Sequence, residues 1–175
     1  AVWSGDACNW LDWSGEEFLT GWVAVHRALG STAMSRCGGV SLYDGSAGIA
    51  LFLARLYQQT GEPLHGETLL GATRQISAQL DELDGDPNVG FYAGWQGASW
   101  ALTEIGQVLD DDRLIERELA RLETTARFEP ALPHTDLISG SAGLITSLVD
   151  LHVKHGRESL LDIAVRHGDF LLESA

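Results

Sequence analysis

The chain has 175 residues, 45% apolar and 21% charged, the balance of one ordinary globular domain. Its 25 acidic side chains outweigh 11 basic ones, for a net charge of −14. That balance argues against nucleic acid and anionic membranes as partners, since both are held through clustered Lys and Arg. No apolar run has membrane-spanning length, no secretory signal pattern opens the chain, and Cys8 and Cys37 are too few for a disulfide framework. A reducing, cytoplasmic setting is expected.

Residues 1–38 read as a lead-in of their own. "AVWSGDACNWLDWSGEEF" is rich in Trp and Gly, and Trp22, Val23 and Val25 in "GWVAVHRALG" alternate in a short β-like pattern. An irregular cap or a short hairpin is expected here.

From residue 39 the pattern becomes helical and repeats. "SLYDGSAGIALFL" (41–53), "GFYAGWQGASWAL" (90–102) and "DLISGSAGLITSL" (136–148) each place a Gly-x-x-Gly pair before an apolar stripe. The pairs are Gly45 and Gly48, Gly94 and Gly97, Gly140 and Gly143. Self-similarity at this period marks a repeat architecture in which each copy is one supersecondary unit. In the first copy Ile49, Phe52, Leu53, Leu56 and Tyr57 fall on one predicted helix face; in the third, Leu144, Leu148, Leu151 and His152 do so.

Each of these helices ends at a turn signal, "TGEP" (60–63), "LDDDR" (109–113) or "HGRE" (155–158), with Gly61 and Gly156 as left-handed caps. A second helix follows each stop. Its predicted stripe is Leu69, Thr73, Ile76 and Leu80 in the first copy, then Ile115, Leu119, Leu122 and Ala126 in the second. In the third it is Leu161, Ala164, Val165, Gly168 and Leu172. The unit is glycine turn, helix, turn, helix, so residues 39–175 are predicted to be all-α, three consecutive α-hairpins.

Two physical readings suit the glycines. They permit positive φ and close backbone approach where inner helices crowd, or they shape an anion site at a helix N-terminus. A phosphate loop is the weaker form of the second, because neither Gly-Lys-Ser/Thr nor a βαβ context is present.

Taken in order, "LYDGSAGIALFLARLYQQTGE", "GFYAGW" and "DLISGSAG" resemble the successive repeats of the lanthionine synthetase C-like family, most closely the cyclase domain of class II lanthipeptide synthetases. The resemblance covers residues 39–175, with "CNWLDW" (8–13) as the lead-in. It implies an α/α toroid, of which this chain holds the N-terminal half, an incomplete cyclase domain. The implied chemistry is Michael addition of precursor-peptide cysteine thiols to dehydroalanine or dehydrobutyrine, with zinc supplying the thiolate.

The family's Trp-Cys and Cys-His-Gly zinc-ligand patterns do not occur here, so no metal ligand is expected in this chain. Asp44, Ala93 and Ser139 stand where a ligand cysteine would be wanted, and Cys8 and Cys37 match neither ligand. Asp136 matches an active-site aspartate and is the catalytic candidate, although an Asx turn or helix-entry cap suits it equally. His134, Asp44 and Trp95 are the substrate-binding candidates. His152 and His155 share a helix face without a third ligand.

The partners implied are a ribosomally made precursor peptide and a C-terminal half or second chain that closes the ring. Two other readings stay open. One is a non-catalytic half-toroid that binds a basic peptide. The other is a toroid glycosidase, using Asp44 and Asp136 as its carboxylates.

Overall fold

A computed structural model describes residues 39–83, 88–124, 129–130 and 134–175. The lead-in, including Cys8, Cys37 and the β-like stretch, lies outside the described residues, as does Ala126. The described residues hold six helices and no strand. They are α1 (Ser46–Thr60), α2 (Pro63–Glu82), α3 (Trp95–Leu109), α4 (Asp112–Glu123), α5 (Ser141–His155) and α6 (Glu158–Glu173).

The helix limits follow from local chemistry. α1 and α5 stop at Gly61 and Gly156, both left-handed at φ 66°, whose N–H groups close the last turn on Tyr57 and His152. α3 stops at Asp110, left-handed at φ 56°, a conformation that Asp tolerates better than most residues. Pro63 opens α2, where its missing N–H costs nothing. Asp111 caps α4 by accepting from the Leu114 N–H at 3.0 Å.

Each hairpin packs its two helices together, and α3 also touches α1, α2 and α5. Helices α1, α3 and α5 therefore form an inner row and α2, α4 and α6 an outer row. Between the rows lies a Leu-rich core that includes Leu53, Ile76, Leu102, Leu119, Leu148 and Leu160. Each such side chain contributes about 1.5–3 kcal/mol on burial.

Outer helices are tied by polar links. Arg117 donates to Ser77 at 2.6 Å, Arg121 pairs with Asp81, Arg157 pairs with Glu116, and Ser159 donates to Glu123 at 2.7 Å.

Two predicted stripes are displaced. On α1, Phe52 is 51% exposed and Ile49, Leu56 and Tyr57 are only half-buried, while Ala47, Ala50, Leu53 and Ala54 face the core. On α6 the buried face is Leu160, Ile163, Ala164 and His167; Val165 and Leu172 are exposed. In both helices two adjacent apolar stripes satisfy the helical period, and the neighbouring helices decide which one is covered. On α4, Leu114 and Glu118 join the buried Leu119 and Leu122, and Ile115 is half-buried.

Candidate functional site

The three loops that enter the inner helices meet at one end of the inner row. Their backbones are linked in register: the Tyr43 N–H donates to the Tyr92 carbonyl at 3.0 Å, and the Tyr92 N–H donates to the Ile138 carbonyl at 2.9 Å. These three residues hold the same place in their copies. Within each copy the first helical N–H, of Ser46, Trp95 or Ser141, donates to a carbonyl of its own loop, that of Gly39, Asn88 or His134.

This crossing explains the glycine pairs. Gly45, Gly94 and Gly140 are extended, at φ −111°, −108° and −122°, so the expectation of positive φ fails. What matters is the missing Cβ. A Cβ on Gly48, Gly97 or Gly143 would lie 2.3, 1.6 or 2.1 Å from the carbonyl oxygen of Leu42, Phe91 or Leu137. The close-approach reading therefore accounts for all three pairs without a ligand.

Asp136 lies on the third loop and is exposed. Its Oδ1 accepts from the N–H of Ile138 at 2.6 Å and of Ser139 at 2.8 Å, which is an Asx turn. Those amides, Ser139 first, hold its carboxyl below the usual carboxylate range, and the neighbouring His134 charge adds to the effect. Asp136 is therefore ionised at neutral pH. Oδ1 is committed to the loop, and Oδ2 makes no hydrogen bond among the described residues.

The other candidates divide. His134 is exposed on the same loop, and its carbonyl accepts from the Ser141 N–H at 3.1 Å. Asp44 is exposed on the first loop, where its carboxylate accepts from the Ser41 hydroxyl. Trp95 is 5% exposed and belongs to the core, behind the loops and away from a substrate at the surface.

The described residues contain no cluster of three or more His, Cys, Asp or Glu able to hold a metal. Asp44, Ala93 and Ser139 do not supply such a set, and His152 Nδ1 is occupied by the Arg157 carbonyl at 3.1 Å. Among the described residues the donor set does not fit zinc.

Two polar groupings escaped the sequence reading. Arg55, Glu104 and Asp150 hold the same place in the three inner helices and are joined by charge. Arg55 pairs with the buried Glu104 at 2.9 Å, Lys154 bridges Glu104 and Asp150 at 2.7 and 2.9 Å, and Trp100 Nε1 donates to Asp150 at 3.0 Å. Superposing the three copies would have revealed this row.

The second grouping is the buried pair Ser141 Oγ and His167 Nδ1, 2.9 Å apart, which ties α6 to the head of α5. Burial, aided by the Arg166 charge, lowers His167 from 6.5 to about 4. The unfolded chain thus takes up this proton first. Stability contributed by neutral His167 is complete above about pH 6.5, falls as pH drops, and is lost by about pH 4. The span corresponds to roughly 3 kcal/mol. Urea unfolding at pH 7 and pH 4.5 is expected to show a smaller acid loss in His167→Gln than in the wild type; equal losses would remove His167 as the cause.

Helical hairpins in two rows, each inner helix entered through a Gly-x-x-Gly loop, define the α/α toroid class. Comparison with protein families matches residues 37–172 to "Lanthionine synthetase C-like protein", and the chain belongs to that family. No match was found among curated proteins. No helix among the described residues is long and apolar enough to cross a membrane.

Proposed function

We propose that this chain is part of a lanthionine-forming cyclase of the class II lanthipeptide synthetase type, acting on a ribosomally made precursor peptide. The observation that carries the reading is the family match over 37–172 together with an ionised, exposed Asp136 at the meeting point of the loops. The reaction adds a cysteine S–H across a dehydroalanine or dehydrobutyrine double bond. A C–S bond forms at the β-carbon, and the α-carbon takes up a proton.

Asp136 is suited to the proton side of this balance. When another group stabilises the thiolate, an ionised carboxylate can take up at Oδ2 the proton that leaves the sulfur and return it to the enolate formed on addition. It is a poor base for an ordinary thiol, whose pKa lies near 8.5. Thiolate formation therefore needs another group, and zinc, which serves the family in this role, would draw its ligands from outside the described residues. His134 and Asp44, exposed on the third and first loops, would contact the peptide.

The test is cyclisation of a dehydrated precursor peptide, with remaining thiols counted by alkylation and mass spectrometry. Asp136→Asn is expected to slow thiol loss by about 10²-fold or more while peptide affinity changes little. Undiminished cyclisation by the variant would sink the assignment. The net charge of −14 supports a second reading, a half-toroid that binds a basic peptide without chemistry. In that case the wild-type protein retains peptide and consumes no thiol.

A further inference from the structure

The head of the third inner helix is tied down differently from that of the first. In the first copy the Ser46 hydroxyl turns back to its own loop. It donates to the Gly39 carbonyl at 3.3 Å, beside the Ser46 N–H at 3.1 Å. In the third copy the matching Ser141 gives its loop the N–H alone, 3.1 Å from the His134 carbonyl. Its hydroxyl is joined instead to His167 Nδ1 on the outer helix, at 2.9 Å. The place of His167 is held by Ala72 in the first copy and by Arg121 in the second. Ala72 has no polar group, and Arg121 turns to Glu118, Asp81 and the Leu80 carbonyl.

Packing alone gives no reason for this pair. Both residues are buried, and His167 Nε2 has no hydrogen-bond partner among the described residues. A half-satisfied polar pair fills a core less well than the alanine that serves the same place in the first copy. What the pair supplies is direction: a hydrogen bond fixes the first residue of α5 against α6 more narrowly than apolar contact does. The loop that carries Asp136 hangs on that residue. It lies so close to Gly140 that a Cβ there would meet the His134 carbonyl carbon at 2.5 Å and the Asp136 nitrogen at 2.6 Å. Ile138 and Ser139, whose amides hold the Asp136 carboxylate, stand between Asp136 and Ser141. A shift of Ser141 is therefore a shift of the carboxylate and of both its donors.

We propose that His167 is a positioning residue: through Ser141 it fixes the third loop and so aims the Asp136 carboxylate. It touches neither the peptide nor the reacting atoms. Of the three loops, the one with the candidate proton-transfer group is the one whose helix head is bonded to an outer-helix imidazole. The anchoring rests on the hydrogen bonds and burial of the pair. Its consequence for the reaction rests on the cyclase reading, in which Asp136 Oδ2 must reach the α-carbon of the adduct. A displacement of about 1 Å there costs about 10²-fold in rate.

The test compares wild type with His167→Leu, with the double variant Ser141→Ala/His167→Leu, which leaves neither partner orphaned, and with His167→Asn, whose amide reaches the place of Nδ1. Amide exchange followed by NMR is expected to be about tenfold faster at Ser141 in both leucine variants, and unchanged at Ser46. The Asp136 carboxyl, followed by carbon NMR, is expected to titrate at higher pH in them, because Ile138 and Ser139 hold it less firmly. His167→Asn is expected to restore both readouts. A general loss of stability would instead speed Ser46 and Ser141 alike. Cyclisation of a dehydrated precursor peptide is expected to slow about tenfold or more in kcat, with KM unchanged. Leucine variants with wild-type Ser141 exchange and Asp136 titration, or with Ser46 exchange raised equally, overturn the anchoring. Leucine variants that cyclise at the wild-type rate, where Asp136→Asn does not, overturn the positioning role. If Asp136→Asn itself cyclises normally, the cyclase reading fails, and the NMR readouts alone decide the anchoring.

Discussion

Gly97→Ala is expected to cost about 4 kcal/mol or more, at the destabilising extreme for a single substitution, and to leave little folded protein. A Cβ built there stands 1.6 Å from the Phe91 carbonyl oxygen and 2.8 Å from its carbon. Neither atom belongs to a flexible side chain. Relief would require lifting the second loop off the head of α3, and that loop holds the Tyr43–Tyr92–Ile138 ladder together. A domain of this size has about 5–15 kcal/mol in total, so the loss is a large share of it.

Gly168→Ala, inside α6 with nothing within 4 Å of its Cβ, is the control. It is expected to be neutral or to add up to about 1 kcal/mol, because alanine is the better helix former. Urea unfolding of the two variants separates the explanations. Comparable effects at both glycines would mean that close approach at the loop crossing is not what the Gly-x-x-Gly pair provides.

Glu118→Ala is expected to cost about 3–5 kcal/mol, the range for removing one partner of a buried ionic group. The Glu118 side chain is wholly buried; it ties α4 to α3 directly and to α2 through its two arginines. It accepts from Ser99 on α3 at 2.7 Å, from Arg117 at 2.8 Å, and from Arg121 at 3.1 Å. Arg121 is itself largely buried and reaches across to the Leu80 carbonyl on α2 at 2.9 Å. Without the carboxylate, Ser99 loses its acceptor and Arg121 is left in the interior with less than its charge requires.

Glu116→Ala removes a carboxylate of the same type, but one that is exposed and paired with Arg157 across the surface. Its expected cost is within about 1 kcal/mol. Equal losses for the two glutamates would show that the interior network contributes no more than the surface pair.

The repeat itself was legible because it is written in local chemistry. Gly61 and Gly156 had to be left-handed caps because each stands where an apolar helical period breaks, and glycine reaches that conformation without strain. Pro63 had to start a helix for a similarly local reason. The Gly-x-x-Gly pairs announced three equivalent units, although the sequence could not say whether their glycines served unusual φ or close approach. That choice depends on a loop folding back over its own helix, and extended φ values together with blocked Cβ positions settle it.

The candidate site was half legible. Asp136 was singled out as a candidate by the family resemblance, and the same few residues also suggested the Asx turn that the structure holds, since Ile138 and Ser139 lie within reach of its side chain. Trp95 could not be judged this way: a tryptophan at the head of a helix suits a peptide surface or a core, and only the packing around it places it in the core. His167 gave no sequence signal of its partnership with Ser141, because the two are brought together only when α6 packs on α5.

The sequence by itself determined the number of repeats, the helix ends and the all-α class, because caps, turns and helical periodicity act within a few residues. Tertiary structure alone decided which of two adjacent apolar stripes is buried on α1 and α6, and which glutamates become interior hubs. Burial is a property of neighbours: Phe52, Ala101 and Ser147 occupy the same place in three copies, yet Phe52 alone is exposed, because the described structure places no preceding repeat against it.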